Sequence, residues 1–405
     1  MLRKFTFNTS LKVFGFILLT LIGLITSNRL GSQLFFEYTV VLRWFTLFGI
    51  LSIYGGDSEL IRFTGSQNNP TIARLKFEEY LSVSIHISFL LLVIVLVSRS
   101  LFDSQVVEYI LLGGILTIPF NAIKLGASYM NGLNKISKSL VISDISSPFL
   151  SIILILLFLE KIKSISILIG IIFIARLIVA LFVVYILKVK IRFFNFKTIL
   201  NKIYSQRNNF FNLSIGVFNT INTSIILFLA DNLFPKNIHD NLALGVKLGL
   251  IVLVPMQMFN IINAPFIAKS NKTSNFKSIK NRLKKTFFFN TCICLIGIFI
   301  FLLFQKEIIS LWGVEFIENV EIITLTVLGY IAFSVGLHFD MTYIMTGNNK
   351  SGFKLNLIFL LANLLSLLIV NVFVDESKIK ILIYFAIVGI FQLVKWYNVH
   401  SLLKK

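Results

Sequence analysis

Residues 165–187 read ISILIGIIFIARLIVALFVVYIL, and residues 188–208 after them read KVKIRFFNFKTILNKIYSQRN. The first stretch holds a single charge, Arg176, in a run long enough to cross a hydrocarbon core roughly 30 Å thick. The second holds six basic residues (Lys188, Lys190, Arg192, Lys197, Lys202 and Arg207) and no acidic one. An apolar span that ends in a basic loop reads as a membrane helix entering the cytoplasm.

The same pattern recurs from end to end. Twelve spans are expected, near 10–27, 36–55, 81–98, 106–130, 140–159, 165–187, 209–230, 241–264, 286–304, 320–345, 353–374 and 379–398. Continuous apolar runs favour helices over barrel strands, which alternate over about ten residues. The fold class is therefore all-α and polytopic. Composition agrees: of 405 residues 56% are hydrophobic and 14% charged, with a mean hydropathy of +0.87. A soluble domain is nearer a quarter charged. Arg3, Lys4 and Lys12 before the first apolar run resemble a signal peptide, but no small-x-small cleavage site follows, so a retained first helix is expected. Cys292 and Cys294 share one apolar run, which suits core packing rather than a disulfide framework or a zinc site.

Net charge is +20. Asn and Lys abundance fits an AT-rich gene, so lysine number carries little weight, and nucleic acid is not an expected partner. Lysine placement carries more. With a cytoplasmic amino terminus, the inner segments hold 26 of the 38 basic residues and the outer ones eight. The other four, Arg43, Lys124, Arg176 and Lys247, fall well inside spans, whereas Lys12, Lys354, Lys380 and Lys395, within a few residues of a span end, are counted with the adjoining segments, Lys395 with the cytoplasmic ones. Both termini are then cytoplasmic. The outer loops are short, the longest near 305–319.

The basic loop at 188–208 divides the chain into an amino-terminal bundle (1–187) and a carboxy-terminal bundle (209–405), six spans each. Span four exits as Met130-Asn131-Gly132-Leu133-Asn134-Lys135 and span ten as Met345-Thr346-Gly347-Asn348-Asn349-Lys350. This M-[N/T]-G-x-N-K repeat at equivalent exits predicts a parallel repeat about an axis along the membrane normal.

Several segments carry a family resemblance. They are Ile53-Tyr54-Gly55-Gly56-Asp57-Ser58-Glu59-Leu60-Ile61-Arg62-Phe63, a glycine turn followed by a basic residue; Leu30-Gly31-Ser32; and Asn263-Ala264-Pro265-Phe266-Ile267-Ala268-Lys269, a proline-aromatic exit. With the two Gly-x-Asn-Lys exits and the order of spans, the chain resembles the multidrug/oligosaccharidyl-lipid/polysaccharide exporter superfamily. Within it the chain is similar to the polysaccharide-transporter branch, the Wzx-type O-antigen flippases. Phe35-Phe36 departs from that branch's aromatic-glycine pair. The resemblance implies two six-helix bundles around a central cavity, working by alternating access in a bacterial inner membrane. It implies an undecaprenyl-diphosphate-linked glycan as substrate, moved from the cytoplasmic to the periplasmic leaflet, in the company of membrane lipids, a polysaccharide polymerase and a chain-length regulator.

A charge deep in a bilayer costs about 2.5–3.5 kcal/mol on insertion scales, so it normally faces a cavity or a partner. Arg43, Lys124, Arg176 and Lys247 are the candidate lining of a cationic cavity, which suits a diphosphate. Arg176, near mid-span, is the hardest to explain by snorkelling. Asp340, beside His338 and near Tyr343, is the candidate ion-coupling carboxylate, with an ion pair to a cation such as Lys124 as the alternative. Asp144, near the cytoplasmic face, is explained by interfacial solvation, and His86 by packing. Pro119, Pro148, Pro255 and Pro265 mark bends that suit either hinges or static kinks. Gly113-Gly114 and Gly245/Gly249 permit close helix packing.

No catalytic constellation stands out, and without a Gly-Lys dipeptide there is no Walker A loop. No cofactor is expected. Two other classes compete with a flippase. A membrane polymerase or ligase of the same pathway calls for a large periplasmic loop, which this sequence lacks. A cation-coupled drug exporter calls for an acidic cavity, whereas the embedded charges here lean basic.

Overall fold

The computed structural model describes residues 2–66, 70–97, 104–189, 207–229, 233–235 and 238–403. No β-strand occurs among them. Ten helices are long and apolar enough to cross a membrane, and two bent pairs bring the number to twelve if each is one span. The chain divides into two compact units, Met1–Val217 and Phe218–Lys405. Most of the linker expected at 188–208 lies outside the described residues.

The first unit holds α1 (Leu2–Leu30), α2 (Ser32–Ile53), α3 (Gly56–Ser66), α4 (Pro70–Val97), α5 (Ser104–Ile115) and α6 (Thr117–Gly132). It continues with α7 (Ile136–Leu140), a π turn (Val141–Ser146), α8 (Ser147–Leu157) and α9 (Ile165–Ile186). Helix α10 (Arg207–Phe228) begins in this unit and ends in the next. The second unit holds α11 (His239–Val252), α12 (Val254–Lys272), α13 (Phe276–Leu303), α14 (Gln305–Ser310), α15 (Val320–Met345), α16 (Asn349–Phe373) and α17 (Ser377–Leu402).

Helix α9 shows what kind of solvent these helices face. Leu168, Ile172, Ala175, Val179 and Val183 are buried, while Ile174, Ile178, Phe182 and Tyr185 on the opposite side are exposed. Both sides are apolar, the pattern of a helix packed on protein on one flank and lipid on the other.

Several helices outrun the apolar stretches in the sequence. Span three was expected from residue 81 and begins at Pro70; span nine was expected from 286 and begins at Phe276. Hydropathy locates the hydrocarbon layer, whereas a helix continues through the headgroup region, where charged side chains are solvated. Arg74, Lys76, Lys277, Lys280, Arg282, Lys284 and Lys285, expected in loops, therefore lie on helices.

Each unit places its even-numbered spans side by side. In the first, α2 packs on α5 and α6 (span four), and α6 packs on α9 (span six). In the second, α11 and α12 (span eight) pack on α15 (span ten), and α15 packs on α17 (span twelve). The same order in both units is the structural form of the repeat. Because consecutive spans alternate in direction, the three neighbours in each unit run the same way.

Small residues allow this closeness. A side chain at Gly113 would meet the Phe45 backbone nitrogen at 2.7 Å. One at Gly245 would meet Thr326 at 2.8 Å, and one at Gly249 the Tyr330 ring at 2.5 Å. Further along α15, Gly329 faces Phe385 and Gly336 faces Gln392 of α17 with no room for a Cβ. Helix association in lipid relies on such van der Waals contact, since no hydrophobic force drives one apolar helix onto another.

The M-[N/T]-G-x-N-K repeat does not superpose as a turn. In the first copy Gly132 is still helical, Asn134 takes φ 58°, and the Lys135 N–H donates to Met130 O at 2.9 Å. In the second copy Gly347 takes φ 77° and its N–H donates to Ile344 O at 3.2 Å. The first copy's geometry recurs instead at the exit of span eight, where Ser274 takes φ 52° and Asn275 N–H donates to Ser270 O at 2.9 Å. A helix end needs one left-handed residue to cap its last carbonyls, and glycine or a short polar residue supplies it wherever it falls. The repeat therefore rests on packing order, and the shared letters are not its structural counterpart.

Candidate functional site

Three features stand out from the regular helices: two broken spans, a set of embedded cations and a buried polar node.

The breaks fall in spans two and eight, the same ordinal position in each unit. Span two bends by 50° between Ile53 and Gly56, and span eight by 41° between Val252 and Val254. Tyr54 (φ 53°) and Gly55 (φ 68°) are both left-handed at the first break. Gly55 is required twice over there, since a Cβ would also meet Asn209 O at 2.8 Å and Asn212 Cβ at 2.9 Å. The stretch after it, expected as loop, is α3. At the second break Pro255 opens α12, where its missing N–H costs nothing. The Cys294 thiol, 3.5 Å from Val252 O, donates to a carbonyl at this break, giving that core cysteine a use. Pro148 opens α8 directly after the π turn, and Pro119 lies in the first turn of α6; Pro265 lies inside α12. Interrupted spans at corresponding positions of two repeats are where transporters place substrate sites.

The four cations expected to line a cavity occupy different surroundings. The Arg176 guanidinium lies 4.0 Å from the centre of the Phe45 ring, and its buried Nη1 makes no hydrogen bond. Lys124 Nζ lies 3.9 Å from Asp57 Oδ2, in the first turn of α3, and its side chain is 43% exposed. Arg43 is half-buried on α2. Lys247, in the second unit, places Nζ 4.6 Å from the centre of the Trp312 ring. Arg43, Lys124 and Arg176 belong to the first unit, so the structure does not draw all four to one point within a unit.

Asp340 has an unexpected partner. Lys395 Nζ donates to Asp340 Oδ2 at 2.9 Å and to Asn356 Oδ1 at 2.7 Å. Asn356 Nδ2 donates to Asp340 Oδ1 at 2.8 Å, and Asn219 Nδ2 to Asp340 Oδ2 at 2.9 Å. Lys395 is 1% exposed and Asp340 4%. The alternative of a pair between Asp340 and Lys124 is corrected: each finds its partner within its own unit. Lys395, which the sequence count places with the cytoplasmic segments near the end of span twelve, is buried in α17. Tyr343 Oη next to the node donates to Asn398 Oδ1 at 2.8 Å.

Two lesser expectations also change or stand. Asp144 is not merely solvated, because it pairs with Lys12 at 2.7 Å. His86 Nδ1 bonds Ser82 O within its own helix at 2.6 Å, which is a packing role. Among the described residues, no three His, Cys, Asp or Glu side chains are grouped to hold a metal ion.

No protein-family model matches the sequence, and no curated protein sequence matches it. Solved structures do match its fold. One is a MOP superfamily transporter from Pyrococcus furiosus, described as having a binding pocket of reverse polarity that suggests a different function. It is 13% identical with a TM-score of 0.77, over 98% of this chain and 95% of that one. Another is an outward-facing multidrug resistance MATE family transporter of the same superfamily, 15% identical with a TM-score of 0.71, over 99% of this chain and 96% of that one. A third is a MATE protein in complex with MaL6, 14% identical with a TM-score of 0.70, over 98% of this chain and 94% of that one. The chain has the fold of these MOP superfamily structures.

Proposed function

We propose that the protein is a membrane transporter that moves a lipid-linked oligosaccharide, carried on a polyprenyl diphosphate, from the cytoplasmic to the periplasmic leaflet of a bacterial inner membrane by alternating access. The observation that carries this reading is Arg176. It sits mid-way along α9 with one guanidinium nitrogen buried and unbonded. A desolvated donor of this kind costs stability unless an acceptor arrives. A diphosphate brings adjacent anionic oxygens that match a guanidinium fork. Arg43, Lys124 and Lys247 add positive charge on other spans, and Asp57 offsets part of it beside the span-two break.

Two supports are independent of Arg176. The fold is shared with transporters, and the interrupted spans occupy corresponding positions in the two units. Export of a cationic drug is the competing reading, favoured by the multidrug transporters among the fold's relatives. Embedded cations oppose it, and the buried Asp340 already has a cationic partner.

Gene deletion tests the reading. Truncated surface glycan with repeat units accumulating on the lipid carrier is expected. Full-length chains in the deletion strain, together with increased sensitivity to cationic drugs, would transfer the assignment to drug export. Polymerase and chain-length regulator partners would show as co-purification from intact membranes.

A further inference from the structure

We propose that the Lys395 ammonium is a tethered counter-ion occupying what is otherwise a site for a free monovalent inorganic cation, so that the protein takes no such cation there. The site is built by Asp340, Asn356 and Asn219. It lies within the second unit and does not depend on the substrate assigned above.

The geometry is that of an ion in a cage. Nζ has one anionic oxygen at 2.9 Å and one neutral amide oxygen at 2.7 Å, and the Phe359 ring centre lies 5.5 Å away. These are the ligand types that hold monovalent cations: a carboxylate, an amide oxygen and a π face. The cage is held in place from behind. Asn356 Nδ2 divides its protons between Asp340 Oδ1 and Gly352 O, the latter at 2.9 Å, so its oxygen is turned toward the cation. Asn219 fixes the other carboxylate oxygen. Four helices contribute, α10, α15, α16 and α17, so the cage belongs to the fold rather than to one loop.

Burial of an ionised carboxylate calls for a cation beside it. Asp340 is 4% exposed and Lys395 1%, five and seven residues inside the ends of α15 and α17. An ionised carboxylate at that depth needs a positive partner. Lysine meets the need permanently, whereas a free ion would come and go with its concentration. A carrier with this arrangement draws no work from an ion gradient at Asp340.

The test is thermal unfolding of the purified full-length protein in detergent, in NaCl or KCl against choline chloride at equal ionic strength. The natural protein should unfold at the same temperature in all three. Lys395→Ala should unfold early in choline chloride and recover saturably with Na⁺ or K⁺, by about 5 °C when the ion is in hundredfold excess over its dissociation constant. Asp340→Asn combined with Lys395→Ala should lose that response. Lys395→Ser repeats the test if Lys395→Ala is not recovered. A saturable Na⁺ or K⁺ response in the natural protein that Asp340→Asn removes would overturn the proposal. So would the absence of any response in the lysine variants, the outcome if Asp340 takes a proton instead, or failure of both variants to fold in either salt. The readout is ion binding rather than transport, so its failure leaves the substrate reading standing.

Discussion

Lys12 Nζ lies 2.7 Å from Asp144 Oδ1, tying α1 to the π turn that interrupts span five. Both side chains are largely withdrawn from solvent, 13% and 18% exposed. The turn has a local cause. Pro148 has no N–H to give to Asp144 O, and the backbone accommodates it one turn earlier. Gly15 lets α1 approach that carbonyl, since a Cβ there would lie 2.6 Å from Asp144 O. Lys12→Met and Asp144→Asn should each destabilise the protein, and the double variant should fall short of their sum by about 1–3 kcal/mol. Unfolding in detergent measures this, and strictly additive losses would show that the pair is not coupled.

Gly329 and Gly336 face the same partner helix but differ in what opposes them. Phe385 is locked among Tyr330, Phe333 and Tyr384, whereas Gln392 meets Gly336 with the end of a flexible side chain. Gly329→Ala should therefore cost more than Gly336→Ala, with overpacking of the first worth about 1–3 kcal/mol. Adding Gln392→Ala should relieve Gly336→Ala. Equal losses at both glycines in a thermal melt would contradict this account of the α15–α17 contact.

Arg176 separates a structural from a functional role by its conservative replacement. Arg176→Lys keeps the charge but loses the flat face over Phe45 and the two-pronged donor. Translocation of a lipid-linked diphosphate in proteoliposomes should fall about tenfold to a hundredfold in Arg176→Ala, the worth of a lost charge-assisted hydrogen bond. Arg176→Lys should lie between. Thermal stability should hold or rise in Arg176→Ala, because an unbonded buried donor is removed. Unchanged transport in both variants would remove Arg176 from the substrate path.

Orientation is open to direct chemical labelling. After Cys292 and Cys294 are replaced by alanine, Lys163→Cys, in the exposed turn before α9, should react with a membrane-impermeant maleimide in intact spheroplasts. Lys277→Cys, in the exposed first turn of α13, should react only after lysis. The reverse pattern would invert the proposed cytoplasmic placement of both termini.

The number and order of the spans were legible because a bilayer imposes one requirement, apolar length, that each segment meets on its own. The breaks were half legible. Tyr54-Gly55-Gly56 and Pro255 are visible as interruptions, but that α3 continues span two as a helix depends on Asn209 and Asn212 packing against Gly55. The Asp340 node was the least legible. Lys395 resembles any lysine near the end of a span, and Asn219 and Asn356 are ordinary in an asparagine-rich chain. Their meaning arises only when α10 meets three consecutive helices that follow more than a hundred residues later, Asn219 and Asp340 being 121 residues apart. One signal was present: Asn356 and Asn363 lie seven residues apart on one helix, and both are buried, bonded to Asp340 and Asn222 respectively.

The even-numbered spans of each unit, packed side by side and pointing the same way, also align their peptide dipoles. Their negative poles gather at one surface of each unit, where helix ends of like partial charge lie near one another. Lys188 directly follows α9, and Lys269 and Lys272 occupy the last turn of α12, whereas Lys138 and Lys350 lie near the start of the next span. Lys188, Lys269 and Lys272, which the sequence pattern assigns to the cytoplasmic side, therefore have a second duty. They neutralise the partial charge that co-directional helices accumulate, and an insertion signal becomes part of what holds the bundle ends together.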